Sequence, residues 1–166
     1  SRAADRSSTG RRRAAPAPRA PIVPSQALAH AIADEWDVQA GEINKDAMTN
    51  MQYACVALDY CANYRNDVET ELLEFAETDT LRYRADEPDE LVSMQDAEWQ
   101  PIIVWAERLL AVSIPLNYGI LPVANSDELQ VKISHYLRDI PLFRLAALWL
   151  ITKHCSSFIL AMAVFE

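Results

Sequence analysis

Apolar residues recur along most of this chain with a helical period. After Ser25, the residues Leu28, Ile32, Trp36 and Gln39 follow a three-to-four spacing, with Ala27, Ala29, Ala31 and Ala33 between them. This predicts a first helix closed by Gly41. Residues 47–64 place Met48, Met51, Ala54, Cys55, Leu58 and Cys61 on one face, which predicts a second helix. Asn66 followed by Glu69 reads as an N-cap with its partner acid, opening a third helix to residue 76. Residues 78–85 are short and β-rich, and are expected to form a loop or a brief extended piece.

Pro88 suits a first helical position, and Asp89 and Glu90 then sit where the helix dipole favours negative charge. That helix runs toward Glu98. Pro101 starts or kinks a further helix with the stripe Ile102, Trp105, Ala106, Leu109 and Val112. Residues 115–125 read as a connection, and Ser126 with Asp127 and Glu128 opens a helix to Arg138. Residues 141–165 are the most apolar and read as one central core helix. Their two clean apolar runs, 145–151 and 158–165, are separated by Thr152, Lys153, His154, Cys155, Ser156 and Ser157. A membrane span needs about 18 consecutive apolar residues, so none is expected here. The predicted fold is all-α.

Composition adds a division of the chain. Its 166 residues suit one domain, and 51% hydrophobic content is enough for a core. Residues 1–24 are rich in Arg, Ala and Pro and are expected to be an extended or disordered basic arm. Six arginines stand against Asp5 in residues 1–20, a net of +5. The whole chain carries −9, so the other 146 residues carry −14. A body that acidic repels phosphate backbones, which argues against nucleic-acid binding. The Arg- and Ser-rich arm has the composition of a mitochondrial transit peptide but lacks the amphipathic apolar pattern. A charged tail is the other reading.

Candidate chemistry is sparse. Only three glycines are present, too few for a phosphate loop or a dinucleotide fingerprint. Cys55, Cys61 and Cys155 form no CxxC pair, which disfavours a thiolate zinc site or disulfide scaffold and fits a reducing compartment. His30, His135 and His154 show no i+3 or i+4 pairing for a metal. No catalytic residue, metal ligand or cofactor is assigned. The acidic pairs read as solvated helix faces. Trp105 and Trp149 read as core anchors. Trp36 and Trp99 lie beside acidic residues and are expected to be amphipathic and partly exposed, as interface anchors are.

One stretch carries a family resemblance. Residues 78–105 contain Thr78-Asp79, Tyr83-Arg84-Ala85, Pro88, Gln95, Trp99-Gln100-Pro101 and Trp105. This resembles the signature of the Atp12 family, chaperones that assemble the F1 part of ATP synthase. Pro24-Ser25, Ala27-Leu28-Ala29, Ile32-Ala33, Glu35-Trp36 and Gln39 resemble the family's first-helix motif. Met48, Leu58 and Asp59 match its next helix, and Gly119-Ile120, Asp139, Phe143 and Leu145 to Leu148 also fit. Departures are visible too. The usual Leu-Cys before Tyr-Arg reads Leu81-Arg82, and the Gly-Ser expected in the last core helix reads Cys155-Ser156. Members usually begin with a small β-rich domain, of which only a degraded tail is expected here, and continue past the last helix with an acidic segment. The chain therefore reads as a fragment or a divergent paralogue.

The resemblance implies about six or seven helices in residues 25–166 around an apolar C-terminal core helix. It implies a non-enzymatic chaperone that binds the free F1 α subunit, in the mitochondrial matrix or in the cytoplasm of an alphaproteobacterium. A structural subunit resident in ATP synthase or another mitochondrial complex is the alternative. An enzyme would need a cleft holding carboxylates with strongly raised pKa values. The expected partner-contact residues are Glu35, Trp36, Tyr83, Arg84, Gln95 and Trp99. The same residues would stand out if their role were packing.

Overall fold

The computed structural model describes residues 22–118 and 124–166. Most of the basic arm and the Gly119-Ile120 match lie outside the described residues. Seven α-helices are present among the described residues: α1 (Gln26–Asp37), α2 (Thr49–Cys55), α3 (Arg65–Glu77), α4 (Asp89–Leu110), α5 (Asp127–Arg138), α6 (Leu142–Cys155) and α7 (Phe158–Phe165). Two short strands, β1 (Tyr83–Arg84) and β2 (Asn117–Tyr118), pair in parallel, with Tyr83 opposite Asn117 and Arg84 opposite Tyr118. The all-α reading holds, and the brief extended piece expected within residues 78–85 is β1.

Local signals explain where several helices start. Ser25 Oγ accepts the Leu28 N–H at 3.2 Å, and Ser126 Oγ accepts the Leu129 N–H at 3.2 Å. Each satisfies a donor that the first helical turn would leave orphaned. In α5 the residues Leu129, Ile133 and Leu137 form a fully buried stripe at four-residue spacing. In α4 the acids Asp89 and Glu90 occupy the first turn, with Pro88 at the N-cap, one position earlier than the sequence suggested.

Four boundaries differ from expectation. α1 stops at Asp37, before Gly41, whose φ of +76° turns the following loop instead. The second helix begins at Thr49 and passes into a π-helical turn, Val56–Cys61, which brings both Ala57 and Cys61 into the core. α3 starts at Arg65, so Asn66 lies inside it and Glu69 pairs with Arg65 at 2.7 Å. α4 runs unbroken through Pro101, whose ring is on the exposed side. The hydrogen bond lost at Pro101 is offset by burial of Ile103, Ala106 and Leu110 beyond it.

The largest correction concerns the C-terminal segment. Residues 141–165 form a helical hairpin, not one helix. Ser156 adopts a left-handed conformation, φ 52°, and ends α6; Ser157 caps α7 by accepting the Leu160 N–H at 3.0 Å. The hairpin fills the middle of the core. Leu145, Leu148, Phe158, Ile159 and Met162 pack against Val68 and Leu72 of α3, Ile103 and Ala106 of α4, and the α5 stripe. Among the described residues no helix is long and apolar enough to cross a membrane.

Candidate protein-docking site

Polar side chains hold the helices to one another at several places. The first is Asp79, fully buried just after α3. Its carboxylate accepts the Leu81 N–H at 3.0 Å, the Ser157 hydroxyl at 2.9 and 3.0 Å, and the Ile159 N–H at 2.9 Å. It therefore clasps the first turn of α7, where backbone donors and dipole favour an anion. Burial pushes the Asp79 carboxyl above its ordinary range, and these hydrogen bonds pull it only part of the way back. Beside it, Thr80 Oγ1 donates to the Ser156 carbonyl at 3.0 Å, fixing the hairpin turn. This clasp is the physical reason for the break between α6 and α7.

Arg82 is the second buried charge. Its guanidinium donates to the carbonyls of Pro115, Ala76 and Glu77, each at 3.0 Å, and to Asn125 Oδ1. Burial lowers its pKa, and the negative charge of Asp79 opposes that shift. Arg82 thus joins the end of α3, the loop before β2 and the approach to α5.

The third place gathers Arg84, Gln95 and Trp99. Arg84, only 4% exposed, donates to the Gln95 carbonyl at 2.7 Å and to Gln100 Oε1 at 3.1 Å. It also lies 3.7 Å from Asp96 and 5.5 Å from the centre of the Trp99 ring. Gln95 Oε1 accepts the Ala85 N–H at 2.8 Å. The motif residues therefore fasten β1 and the chain after it to the middle of α4. Tyr83, in the same strand, is half-buried. Arg84 spends its charge inside the molecule.

Glu35 and Trp36 lie on α1, away from that cluster in the chain, and part company at the C-terminal end of the helix. The Glu35 carboxylate reaches the start of α2. It accepts the Asn50 N–H at 2.7 Å, the Met51 N–H at 2.9 Å, Asn50 Nδ2 at 2.8 Å and Thr49 Oγ1 at 3.3 Å. Loss of water contact pushes this carboxyl up, but the four hydrogen bonds outweigh it and hold its pKa below 4.5. α2 has no side-chain cap of its own, and Glu35 serves as one from another helix.

Trp36 points elsewhere and is 45% exposed. With Ile43, Met48, Met51, Cys55 and Val56 it lines an open groove of about 440 Å³ between α1, the loop after it and α2. The walls are almost wholly apolar; Lys45 and Gln52 are the polar members. Gln52 donates to the Lys45 carbonyl, which ties the loop to α2 and shapes the groove. Ile43 is 53% exposed, so the groove's apolar surface continues to its rim. Among the described residues no group of His, Cys, Asp and Glu is arranged to hold a metal. The arrangement offers an apolar surface suited to adhesion.

The sequence profile of the ATP12 chaperone protein family matches residues 10–107. The chain belongs to the ATP12 chaperone family. Among solved structures, Atp12 from Paracoccus denitrificans superposes with a TM-score of 0.82 at 33% identity, covering 87% of this chain and 62% of that one. A point mutant of the same protein gives the same figures. A candidate chaperone from Agrobacterium tumefaciens superposes with a TM-score of 0.79 at 32% identity, covering 86% of this chain and 54% of that one. The chain thus spans less than two thirds of the length of these ATP12 relatives.

Within the ATP12 signature the structure brings Arg84, Gln95 and Trp99 together, with Tyr83 beside them, and places Glu35 and Trp36 at the groove end of α1. Sequence reasoning singled out neither Asp79 nor Arg82 as functional. Asp79 stood in the Thr-Asp pair of the signature, but its partners are 78 and 80 residues away. Arg65 was also missed. Its guanidinium donates to the carbonyls of Leu137, Arg138 and Ile140 at 2.9, 3.1 and 2.9 Å and so closes the end of α5.

Proposed function

We propose that this chain is a non-enzymatic assembly chaperone that binds the free α subunit of F1-ATPase during ATP synthase biogenesis. Membership of the ATP12 chaperone family carries the reading. The physical logic supports it. An unassembled subunit exposes a large apolar interface, which is an aggregation hazard. A helical, acidic partner with an exposed apolar groove can cover part of that interface reversibly, and its charge sets rate and specificity. Such a role needs neither nucleotide nor metal. Its place is where F1 is built, the mitochondrial matrix or the cytoplasm of an alphaproteobacterium.

The test is affinity isolation from the native host, with the captured protein identified by mass and by assembly state. Free α subunit is the expected catch. Whole ATP synthase at fixed stoichiometry would replace the chaperone with a resident subunit built on the same fold. Capture of neither would overturn both readings.

A further inference from the structure

The groove at the end of α1 has an occupant that its chemistry describes. Trp36 and Ile43 keep about half of their surface in water although an apolar core lies within the same fold. Exposed apolar surface concentrated in one concave place marks a binding site more than scattered exposure does. Two of the lining side chains are methionines, Met48 and Met51, whose unbranched, polarizable chains adapt to varied apolar partners. The charges next to the lining residues in the chain have one dominant sign. Asp37, Glu42 and Asp46 are exposed and directly adjoin Trp36, Ile43 and Lys45 in sequence, with exposed Asp34 two residues before Trp36, against the single lining cation Lys45. Glu35 is not among them, because its carboxylate is committed to α2.

We propose that this groove docks an amphipathic helix of the client, one that inserts an i, i+3 or i+4 stripe of large apolar side chains and flanks it with lysine or arginine. The apolar walls take the stripe, and the acidic rim selects and orients the basic flanks. Trp36 is the anchor, since a large aromatic at the edge of an apolar pocket supplies most of the contact area. The inference rests on the chaperone reading only for whose helix it is.

Cys55 lines the groove and gives a direct readout. Cys61 is buried, so in a Cys155→Ser background Cys55 is the accessible thiol. The probes are three synthetic peptides: a leucine- and methionine-striped helix with lysine flanks, its glutamate-flanked twin, and a scramble of the first. The lysine-flanked helix is expected to slow alkylation of Cys55 and to shift the tryptophan emission to the blue, while the other two do neither. Trp36→Ala is expected to weaken that peptide by about 30-fold, the scale of a hot-spot anchor. The paired change Asp37→Lys and Asp46→Lys, both at exposed positions, is expected to favour the glutamate-flanked twin instead.

Equal protection by both helices would overturn the charge argument, and absence of protection by any would overturn the site. Protection that rises with protein concentration alone would assign the groove to a second copy. Protection already complete in dilute, peptide-free protein would assign it to the chain's own N-terminal arm. The chaperone reading fails separately. Capture of free α subunit undiminished by Trp36→Ala sinks the groove and keeps the chaperone. Peptide binding without α-subunit capture does the reverse.

Discussion

Removing the carboxylate of Asp79 should loosen the C-terminal hairpin more than any other single polar change. Asp79→Ala strands the Leu81 and Ile159 N–H groups and leaves the Ser157 hydroxyl without its acceptor, all in the buried interior. Each stranded buried donor costs about 1–3 kcal/mol. The Arg82 guanidinium also loses the negative charge that opposes its burial. Together these suggest a loss of about 4 kcal/mol, a large part of the roughly 5–15 kcal/mol that holds a domain folded. Asp79→Asn keeps the shape and one acceptor oxygen, and should cost about 2 kcal/mol. The assay is urea unfolding followed by far-UV circular dichroism, joined to hydrogen exchange at the α7 amides. With a slope near 2 kcal/mol per molar urea, Asp79→Asn moves the midpoint down by about 1 M. The α7 amides should exchange before those of α6, since the clasp holds the start of α7. A shift below about 0.3 M for Asp79→Ala, or α7 amides as protected as those of α6, would refute the reasoning.

Other changes give smaller, separable effects. Arg84→Lys exchanges a planar fork for a point charge and should cost about 2 kcal/mol, with a change in tryptophan emission as Trp99 loses the guanidinium from its ring, read by fluorescence-detected unfolding. Glu35 has a lowered pKa, so its contribution is complete above 4.5 and is lost as pH falls through the folded value. The acid-induced loss of stability below pH 4.5 should therefore be shallower in Glu35→Gln than in the parent, and parallel curves would discount the cap. Ala111 has a φ of 52° at the end of α4, so Ala111→Gly should raise stability by about 0.5–1 kcal/mol in thermal unfolding, net of the looser unfolded chain. A fall in melting temperature would show that the left-handed conformation is not strained.

Elements fixed by neighbours in the chain were legible in the sequence, and elements fixed by distant partners were not. The serine caps at 25 and 126 act over three residues, and α1 and α5 begin where those residues suggest. The helical period after Pro101 was readable, but the buried face of α4 is Ile103, Ala106 and Leu110, with Leu109 of the expected stripe exposed and Val112 beyond the helix, and the buried stripe of α5 was not picked out. The turn at Val56–Cys61 departs from that period, so a uniform stripe could not describe it. The break at Ser156 was visible only as a polar interruption, because the groups that fix it, Asp79 and Thr80, lie more than seventy residues upstream. The signature residues stood out without revealing what they touch. Arg84 and Gln95 look like surface residues by type, yet they hold β1 to α4. The groove was not readable at all, since it needs Ile43 from a loop, Trp36 from one helix and Met51 from another.

The long polar ties also set an order of events during synthesis. Arg65 waits for carbonyls 72 to 75 residues later, Glu71 for the Trp149 indole N–H, Asp79 for Ile159, and the Tyr53 hydroxyl for the Phe143 carbonyl. A ribosome delivers α1 to α4 first, when none of these partners exists. Helices can form locally in that nascent stretch, but its apolar faces stay open until the last forty or so residues emerge to close them. While it is being made, this chain therefore carries the same hazard of uncovered interior surface that its family relieves in others.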